Sequence, residues 1–201
     1  KRSVKHPLAW SLAPSTPLQE LTSFSSGFFE IQDYASQRIG DVLNPLPGQH
    51  WWDACAASGG KSLLLLDQEP SIRLLATDVR ESILSNYRDR LARAGFYGIE
   101  CRQMDLSAEN PDPALRFDHI LADVPCSASG VTRRHPDIKL LRTQTDIVAL
   151  QAQQRELLCR LWPLLVPGGK LLYVTCSIVG AENEQVISEF LRTHPEARGL
   201  A

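Results

Sequence analysis

From residue 49 onward the chain alternates short apolar segments with helix-length segments, and this alternation limits the possible folds more than any other feature. The apolar segments predict strands at 50–54, 72–77, 98–103, 117–122 and 170–175. Helical spacing and helix-ending residues predict helices up to residue 67 and over 81–94, 143–165 and 181–193. Strands joined by such crossovers pair in parallel. We therefore predict an α/β fold with a mostly parallel sheet and helices on both faces.

The segment before this alternation has a weaker pattern. Residues 1–27 contain prolines and hydroxyl side chains without periodicity, which predicts an extended lead-in to a main domain over 28–201. Residues 28–31 predict a short strand or hairpin arm. Apolar residues at 35, 39, 42 and 43 predict one helix over 32–44, ended by Pro45.

The composition predicts one core and no general affinity for polyanions. A chain of 201 residues that is 43% hydrophobic can bury one substantial core. The net charge of −2 and the pI near 6.2 give no overall basic field, so a nucleic acid would need a local patch. The apolar runs are shorter than the roughly 20 residues of a membrane span, and no signal peptide opens the chain. We expect a cytoplasmic protein.

The cysteines do not form a metal or redox motif. Their number, five, is odd, and no C-x-x-C pair occurs, so we expect no metal site. Cys55, Cys101 and Cys159 lie in apolar surroundings and are expected to be small buried hydrophobes. Because the chain begins at Lys1, without a methionine, we also expect it to be an excised or processed piece.

Two other cysteines and an aspartate follow the ends of predicted strands. Asp123 and Cys126 come just after strand 117–122, and Cys176 comes just after strand 170–175. Pro125 stiffens the turn that follows strand 117–122 and gives Cys126 a defined direction. Strand ends form the rim where open α/β sheets bind ligands. The alternative is that these cysteines are buried in the core, as free cysteines commonly are.

The loop after the first strand predicts a cofactor without phosphates. Residues 53–62 are mostly small, but position 55 is Cys where a phosphate-binding loop needs Gly, and G-x-G-x-x-G is absent. Acidic residues stand near three successive strand ends, at Asp53, Asp78 and Asp105. Asp78 is placed to accept hydrogen bonds from a ribose diol and would repel a phosphate. This favours S-adenosylmethionine, the alternative being that Asp78 lies in a solvated turn.

Several motifs together resemble one enzyme family. They are Gln32-Asp33, the loop 53–61, Asp-x-Pro-Cys-Ser at 123–127, Arg-Arg-His-Pro-Asp-Ile-Lys at 133–139, Pro-Gly-Gly at 167–169, Tyr-Val-Thr-Cys-Ser at 173–177 and Glu-Asn-Glu at 182–184. Across residues 27–193 the chain resembles the Nol1/Nop2/Sun RNA cytosine-C5 methyltransferases. Pro-Cys-Ser paired with Thr-Cys-Ser is the most specific motif, and the 133–139 stretch most resembles the bacterial Sun/Fmu ribosomal-RNA branch.

The resemblance implies a Rossmann-like, S-adenosylmethionine-dependent methyltransferase fold in which the fourth and fifth strands are neighbours. It also implies that Cys176 is the nucleophile, that Cys126 assists release, and that Asp123 contacts the cytosine. Asp78 would bind the ribose and Asp105 the adenine side of the cofactor. The predicted cofactor-binding residues are Asp53, Cys55, Ala56, Ala57, Gly59, Gly60, Lys61, Asp78, Arg80, Asp105 and Asp123.

The chemistry explains why these residue types are needed. C5 of cytosine reacts poorly with a methyl sulfonium until a nucleophile adds at C6, and a thiolate can both add near neutral pH and leave again. A protonated carboxyl or a strong hydrogen bond at N3, here from Asp123, stabilises the charge that addition places on the ring. A second thiol near the same carbon helps the later elimination.

The predicted RNA contacts form the one local basic cluster. Its members are Arg133, Arg134, Lys139 and Arg142. Such a cluster can hold phosphates while the target base enters a pocket, and the alternative is a solvated charged loop. Ser58 stands where the family usually has proline. The resemblance further implies an N-terminal RNA-binding region and a closing pair of strands, and we expect this chain to lack both.

The sequence leaves three functions open. The first is RNA (cytosine-5) methylation, with ribosomal RNA as the expected partner. The second is a non-catalytic RNA-binding or assembly module on a retained methyltransferase fold, which the intact cysteine pair disfavours. The third is methylation of a protein or a small molecule, which would leave the second cysteine without a purpose. A monomer is expected.

Overall fold

The computed structural model describes residues 9–13 and 15–200 and divides the chain into two compact units, Lys1–Gln103 and Met104–Ala201. Residues 1–8 and 14 of the predicted lead-in lie outside the described residues. No helix among the described residues is long and apolar enough to cross a membrane. The predicted domain boundary at residue 27 stays a prediction.

The first unit alternates helices with three short strands. Its elements are α1 (Thr22–Ser25), α2 (Tyr34–Arg38), α3 (Gly40–Leu43), β1 (His50–Asp53), α4 (Gly60–Gln68), β2 (Arg73–Asp78), α5 (Glu81–Arg93) and β3 (Glu100–Gln103). The strand β2 pairs in parallel with β1 on one side and with β3 on the other. The predicted strands and their parallel pairing are thus found here, with ends shifted by one or two residues.

Apolar residues of β1, β2 and the helices form the core of this unit. The indole of Trp52 is fully buried, and its Nε1 donates to Thr77 Oγ1 at 3.0 Å. The Thr77 hydroxyl donates in turn to the carbonyl of Ala54 at 2.9 Å. These two bonds tie the carboxyl end of β1 to that of β2, which fixes where the following loops begin.

The segment before β1 differs from the prediction. The second half of the lead-in is not extended, because residues 18–20 form a 3-10 turn and α1 follows, with Phe24 packed under the Arg93 guanidinium at 4.5 Å. Residues 28–31 are not a strand. Side chains hold them instead, through ion pairs of Glu30 with Arg90 and Arg93.

The single helix predicted over 32–44 is also wrong. Asp33 caps α2, accepting from the Ala35 N–H at 2.9 Å, but the helix breaks before Gly40. Gln68 Nε2 donates to the Gly40 carbonyl at 2.7 Å, and a Cβ on Gly40 would lie 2.9 Å from Leu64. Gly40 thus packs closely on α4 directly after Ile39, the one residue that separates α2 from α3.

The second unit contains two long strands and the longest helix. Its elements are β4 (Phe117–Asp123), α6 (Ile138–Leu141), α7 (Gln144–Leu161), β5 (Leu165–Val174) and α8 (Glu184–Thr193). The strands β4 and β5 pair in parallel, with Asp123 opposite Val174, so the predicted adjacency of the fourth and fifth strands is confirmed. Leu158, Val186 and Phe190 form a core cluster where α7 and α8 meet.

The end of α7 and the start of β5 differ from the prediction. The helix ends at Leu161, where a 3-10 turn containing Pro163 follows, because a proline N cannot donate to the preceding helical turn. The strand starts at Leu165 and includes the Pro-Gly-Gly segment. The register shift between Phe117 and His119 accommodates these residues, since Gly169 leaves no room for a side chain beside the Asp118 carbonyl.

Gly27 provides a test of the close packing between the segment before β1 and the end of α5. It has a φ of 75°, and a Cβ there would lie 1.9 Å from the Arg93 carbonyl oxygen. We expect Gly27→Ala to cost about 2–5 kcal/mol of unfolding free energy, through left-handed strain and overpacking. Gly48 has the same φ of 75° and open space around it, so Gly48→Ala should cost only about 1–2 kcal/mol. Urea unfolding measures both values, and equal losses would contradict the packing argument.

Candidate active site

The two strand-end cysteines of the second unit are neighbours. Their Sγ atoms lie 3.3 Å apart, and the Cys176 N–H donates to Cys126 Sγ, also at 3.3 Å. Cys176 is exposed and Cys126 is half-buried, so neither is the buried core cysteine of the alternative interpretation. The structure thus brings together two residues that are 50 positions apart in the sequence.

Backbone contacts fix this pair. The Val124 N–H donates to the Val174 carbonyl at 3.0 Å, which continues the β4–β5 pairing past the end of the strands. The Gly130 N–H donates to the Cys176 carbonyl at 2.9 Å. A Cβ on Gly130 would lie 2.7 Å from that carbonyl oxygen, so only glycine allows the loop after Cys126 to approach Cys176 this closely.

The contact between the two sulfurs shifts their pKa values in opposite directions. The hydrogen bond from Cys176 lowers the pKa of Cys126 to about 7 against the effect of burial, with help from the N–H groups of Ala128 and Cys176. The same bond raises the pKa of the Cys176 thiol, and so do burial and the charges of Cys126 and Asp123. These shifts favour a thiolate at Cys126 beside a thiol at Cys176 as the pH rises through about 7.

A buried carboxylate connects the two cysteine loops. Glu182 is fully buried, and it accepts hydrogen bonds from the Ser127 N–H at 2.8 Å, from the Ser127 hydroxyl and from the Ser177 hydroxyl at 2.6 Å. Each serine directly follows one of the cysteines. Burial raises the pKa of Glu182, but these bonds and one from Gln154 outweigh it, so the pKa lies below its ordinary value and the group is ionised.

Gln154 and Asn183 hold the residues on either side of the cysteines. Gln154 Nε2 donates to the carbonyl of Pro125 at 2.9 Å and to Glu182 at 3.0 Å. Asn183 accepts from the Thr175 hydroxyl at 2.7 Å and donates to the Ser177 carbonyl at 3.1 Å. Each cysteine therefore stands between two anchored neighbours.

These three supporting residues were not predicted as functional. Glu182 and Asn183 were quoted only as part of a family motif, without a role. Gln154 lies on the buried face of α7 with Leu157, Leu158 and Leu161, and a polar residue within such an apolar stripe is the signal that could have drawn attention to it.

Of the other residues predicted in this unit, some lie near the pair and others lie apart. Asp123 ends β4, is half-buried, and its charge acts on Cys176. Arg142 is exposed, and its Nε donates to the Ser127 carbonyl at 3.3 Å, which ties it to the Cys126 loop. The other three members of the basic cluster are exposed: Arg133 and Arg134 lie in a turn, and Lys139 lies in α6. Asp105 is half-buried and accepts from the Ser107 N–H at 2.9 Å.

The predicted cofactor carboxylate stands at the end of β2 in the first unit. Asp78 is 6% exposed and accepts from the Ala57 N–H at 3.0 Å and from both the N–H and the guanidinium of Arg80. Burial raises the pKa of Asp78, but these bonds more than offset it and the pKa is lowered. Asp78 is thus an ordered, ionised hydrogen-bond acceptor, and Arg80 orients it.

The loop after β1 lies against the carboxyl end of β2. The Ala56 N–H donates to the Thr77 carbonyl at 2.8 Å, and Ala57 and Gly59 have φ of 47° and 83°. A Cβ on Gly59 would lie 2.6 Å from the Tyr87 ring. Cys55, Gly60 and Lys61 are half-buried around this turn.

Hydrogen bonds within the first unit account for two further residues, Asp53 and Ser58. Asp53 is 1% exposed and accepts from the Ser62 hydroxyl at 2.6 Å, so it fastens the first turn of α4 to β1. Ser58, the departure from the family pattern, accepts from Arg90 Nη1 at 2.8 Å. This bond tethers the loop where proline would stiffen it.

The remaining cysteines are less buried than predicted. Cys55 and Cys101 are half-buried, and Cys159 is exposed. Leu157 and Leu158 occupy the buried face of α7, and one further residue rotates Cys159 about 100° away from that face. Within residues 9–13 and 15–200, no group of three His, Cys, Asp or Glu side chains could hold a metal ion.

The residues of the first unit fit an adenosyl cofactor. An ionised carboxylate at a strand end suits two ribose hydroxyls, and the adjoining loop of small residues permits close approach to its backbone. Parallel strands joined by helices, with this carboxylate at a strand end, define the class of protein, a Rossmann-like methyltransferase.

Comparison with known proteins gives the family. Residues 41–201 match the family described as 16S rRNA methyltransferase RsmB/F, and the chain belongs to this family. A curated relative, ribosomal RNA small subunit methyltransferase B of Enterobacter sp. (strain 638), is 43% identical over 190 residues, which are 93% of this chain and 44% of that protein. The chain thus spans less than half the length of this relative.

Solved structures give the same result. PH0851 superposes with a TM-score of 0.85 at 30% identity, covering 97% of this chain and 44% of that one. NSun6 from Pyrococcus horikoshii with SFG has a TM-score of 0.80 at 31% identity and covers 89% of this chain and 46% of that one. These comparisons confirm three predictions: the family, the Rossmann-like methyltransferase fold, and S-adenosylmethionine as the cofactor. The roles of individual residues stay predictions.

Proposed function

We propose that this chain is the catalytic part of an S-adenosylmethionine-dependent RNA methyltransferase that acts on C5 of cytosine through a covalent bond between Cys176 and C6. The observation that carries the proposal is the contact of 3.3 Å between the sulfurs of Cys126 and Cys176. A methyltransferase acting on an oxygen or nitrogen atom needs no thiol at its site. Two cysteine sulfurs in hydrogen-bond contact suit a reaction in which one sulfur must first attack and later leave.

Most of the residues with proposed cofactor contacts belong to the first unit. Asp78 would accept hydrogen bonds from the ribose, and Arg80 would keep its carboxylate in place. The backbone of residues 55–60 would contact the rest of the adenosyl group, and Lys61 and Asp105 retain the cofactor-binding roles implied by the resemblance. Bound S-adenosylmethionine supplies an electrophilic methyl group.

The attack begins with a proton transfer between the two sulfurs. Cys176 passes its proton across 3.3 Å to the Cys126 thiolate as Cys176 Sγ bonds to C6. The electron pair of the C5–C6 double bond moves toward N3, where Asp123 would stabilise it by donating a hydrogen bond as a protonated carboxyl group. C5 thereby becomes nucleophilic enough to accept a methyl group.

Release reverses these movements. A base removes the C5 proton, the C5–C6 double bond forms again, and Cys176 leaves C6 with the bonding electron pair. Cys126 then returns its proton to Cys176, which restores the resting pair. One proton goes to water for each methyl group added, so charge and atoms balance. The pKa of Cys126 near 7 suits a group that must both accept and return a proton at neutral pH.

The proposed substrate is ribosomal RNA of the small subunit. The relatives are named as ribosomal RNA methyltransferases, and Arg142 is tied to the Cys126 loop, where a phosphate beside the target base could bind it. Arg133, Arg134 and Lys139 would contact neighbouring phosphates. Action as a monomer in the cytoplasm, without a metal, belongs to the same proposal.

Incubation of the chain with methyl-labelled S-adenosylmethionine and unmodified small-subunit ribosomal RNA tests the proposal. The expected result is label in 5-methylcytosine, read by nucleoside mass spectrometry, together with saturable cofactor binding in a calorimetric titration. Label in another nucleoside would overturn the assignment to C5. Binding of RNA and cofactor without any transfer would favour the non-catalytic module.

A further inference from the structure

We propose that Glu182 is a positioning residue that sets the separation of the two reactive sulfurs and thereby keeps them in hydrogen-bond contact. This inference rests on the proposed function for its meaning, since it assigns the support of the same cysteine pair. Its geometry belongs wholly to the second unit. The main test below measures the cysteines directly and does not need methyl transfer.

The two oxygens of Glu182 have different partners. Oε1 accepts from the Ser127 N–H and from Gln154 Nε2, and both of these groups can only donate. Oε2 accepts from the hydroxyls of Ser127 and Ser177, which can donate or accept. One carboxylate therefore connects the residue after Cys126 with the residue after Cys176.

The hydroxyls extend this connection around the pair. Ser177 Oγ lies 3.1 Å from Ser127 Oγ and 3.0 Å from Ser129 Oγ. The backbone of Glu182 is anchored as well, because the Tyr173 hydroxyl donates to its carbonyl at 2.6 Å. Glu182 is thus fixed at both ends while it holds the two loops together.

Removing the bridge should release the sulfurs from each other. The low pKa of Cys126 depends first on the hydrogen bond from Cys176 and also on the Cys176 N–H, and both contacts require the present spacing. Glu182→Ala leaves four donors without their acceptor and opens a cavity between the loops. A misplacement of about 1 Å at a reacting group can cost about 10²-fold in rate, which is the loss in kcat we expect.

Glutamine separates the position of this side chain from its charge. An amide can place its oxygen toward the two obligate donors and its NH₂ toward the two hydroxyls, so Glu182→Gln can satisfy every partner. We expect kcat to stay within about threefold of the starting chain, because the loops remain joined. The negative charge, which raises the pKa of Cys126, is lost.

The two variants should therefore shift the titration of Cys126 in opposite directions. Alkylation by iodoacetamide, followed against pH by mass spectrometry of the Cys126 peptide, gives its midpoint. We expect a lower midpoint in Glu182→Gln and a higher one, toward the ordinary thiol value of about 8.5, in Glu182→Ala. The charged or titratable groups facing the pair are Asp123, Tyr173 and Glu182 itself, while Arg142 binds the loop backbone.

Two more variants complete the design. Glu189→Gln makes the same change on α8, where Glu189 pairs with Arg155 at the surface, and it should leave the midpoint and kcat unchanged. Ser177→Ala removes only the hydroxyl that links Glu182 to the Cys176 loop, so it should shift the midpoint in the same direction as Glu182→Ala. It also carries the test if Glu182→Ala does not fold.

An unchanged midpoint in both Ser177→Ala and Glu182→Gln would overturn the inference, and so would shifts of equal sign in Glu182→Gln and Glu182→Ala. A starting chain that methylates no RNA but shows the opposed shifts would refute the proposed function and leave the positioning role standing.

Discussion

Replacement of Cys176 by serine is expected to abolish methyl transfer, with a fall in kcat of at least about 10³-fold. A hydroxyl in the place of the thiol is far less acidic and is a poor nucleophile near neutral pH. The change is nearly isosteric, so the Gly130 N–H should still donate to the carbonyl of residue 176, and the N–H of residue 176 should still donate to Cys126 Sγ. Cofactor binding should be unaffected, because Cys176 is not among the residues proposed to bind the cofactor.

The measurement is incorporation of labelled methyl groups into RNA, together with a search for a covalent adduct on RNA that contains 5-fluorocytosine. Fluorine at C5 cannot be removed as the proton is, so the starting chain should be trapped at Cys176. Cys159→Ser is the matched control, since Cys159 is an exposed thiol on α7. It should keep full activity and full trapping.

One outcome would reverse the assignment. The pKa of Cys126 is lowered and that of Cys176 is raised, so a nucleophilic Cys126 is the specific competitor. An adduct that forms at Cys126 in Cys176→Ser would show that the two roles are exchanged. An active Cys176→Ser variant without any adduct would instead remove covalent chemistry from the proposal.

Much of the fold could be predicted because the sequence pattern and the local structure agree. The strands β1, β2 and β4 are apolar runs with clear ends, and their parallel pairing follows from the helices between them. The predictions of secondary structure are wrong where contacts with residues distant in the sequence determine the local structure. A regular helical pattern is interrupted next to Gly40, where α4 packs closely, and Glu30 holds its segment through arginines 60 and 63 residues away.

The sequence predicted the main residues of the candidate site but not their electrostatics or their support. Motif resemblance identified both cysteines, and their adjacency followed from the implied order of the strands. The distribution of the proton could not be predicted, because it depends on a contact of 3.3 Å and on the direction of the N–H groups of Ala128 and Cys176. The role of Glu182 depends in the same way on side-chain packing between two loops.

Replacement of Cys126 by serine should have the opposite effect to that of Cys176, namely accumulation of a covalent protein–RNA adduct. Without the Cys126 thiolate, the charge and the hydrogen bond that raise the pKa of Cys176 are lost. Cys176 then returns toward an ordinary thiol pKa of about 8.5 and can still attack C6. Release suffers more, because serine is too weak an acid to return a proton to the departing sulfur.

The adduct should be visible as a slowly migrating band on denaturing gels with ordinary, unfluorinated RNA, and turnover should fall by at least about 10²-fold while a single methyl group is still transferred. Cys159→Ser again serves as the control and should give no such band. The band must disappear in the double variant Cys126→Ser/Cys176→Ser, since its bond is to Cys176. Cys126→Ser turning over at the normal rate would mean that the proton shared across 3.3 Å has no part in release, and the mechanism would need another acid.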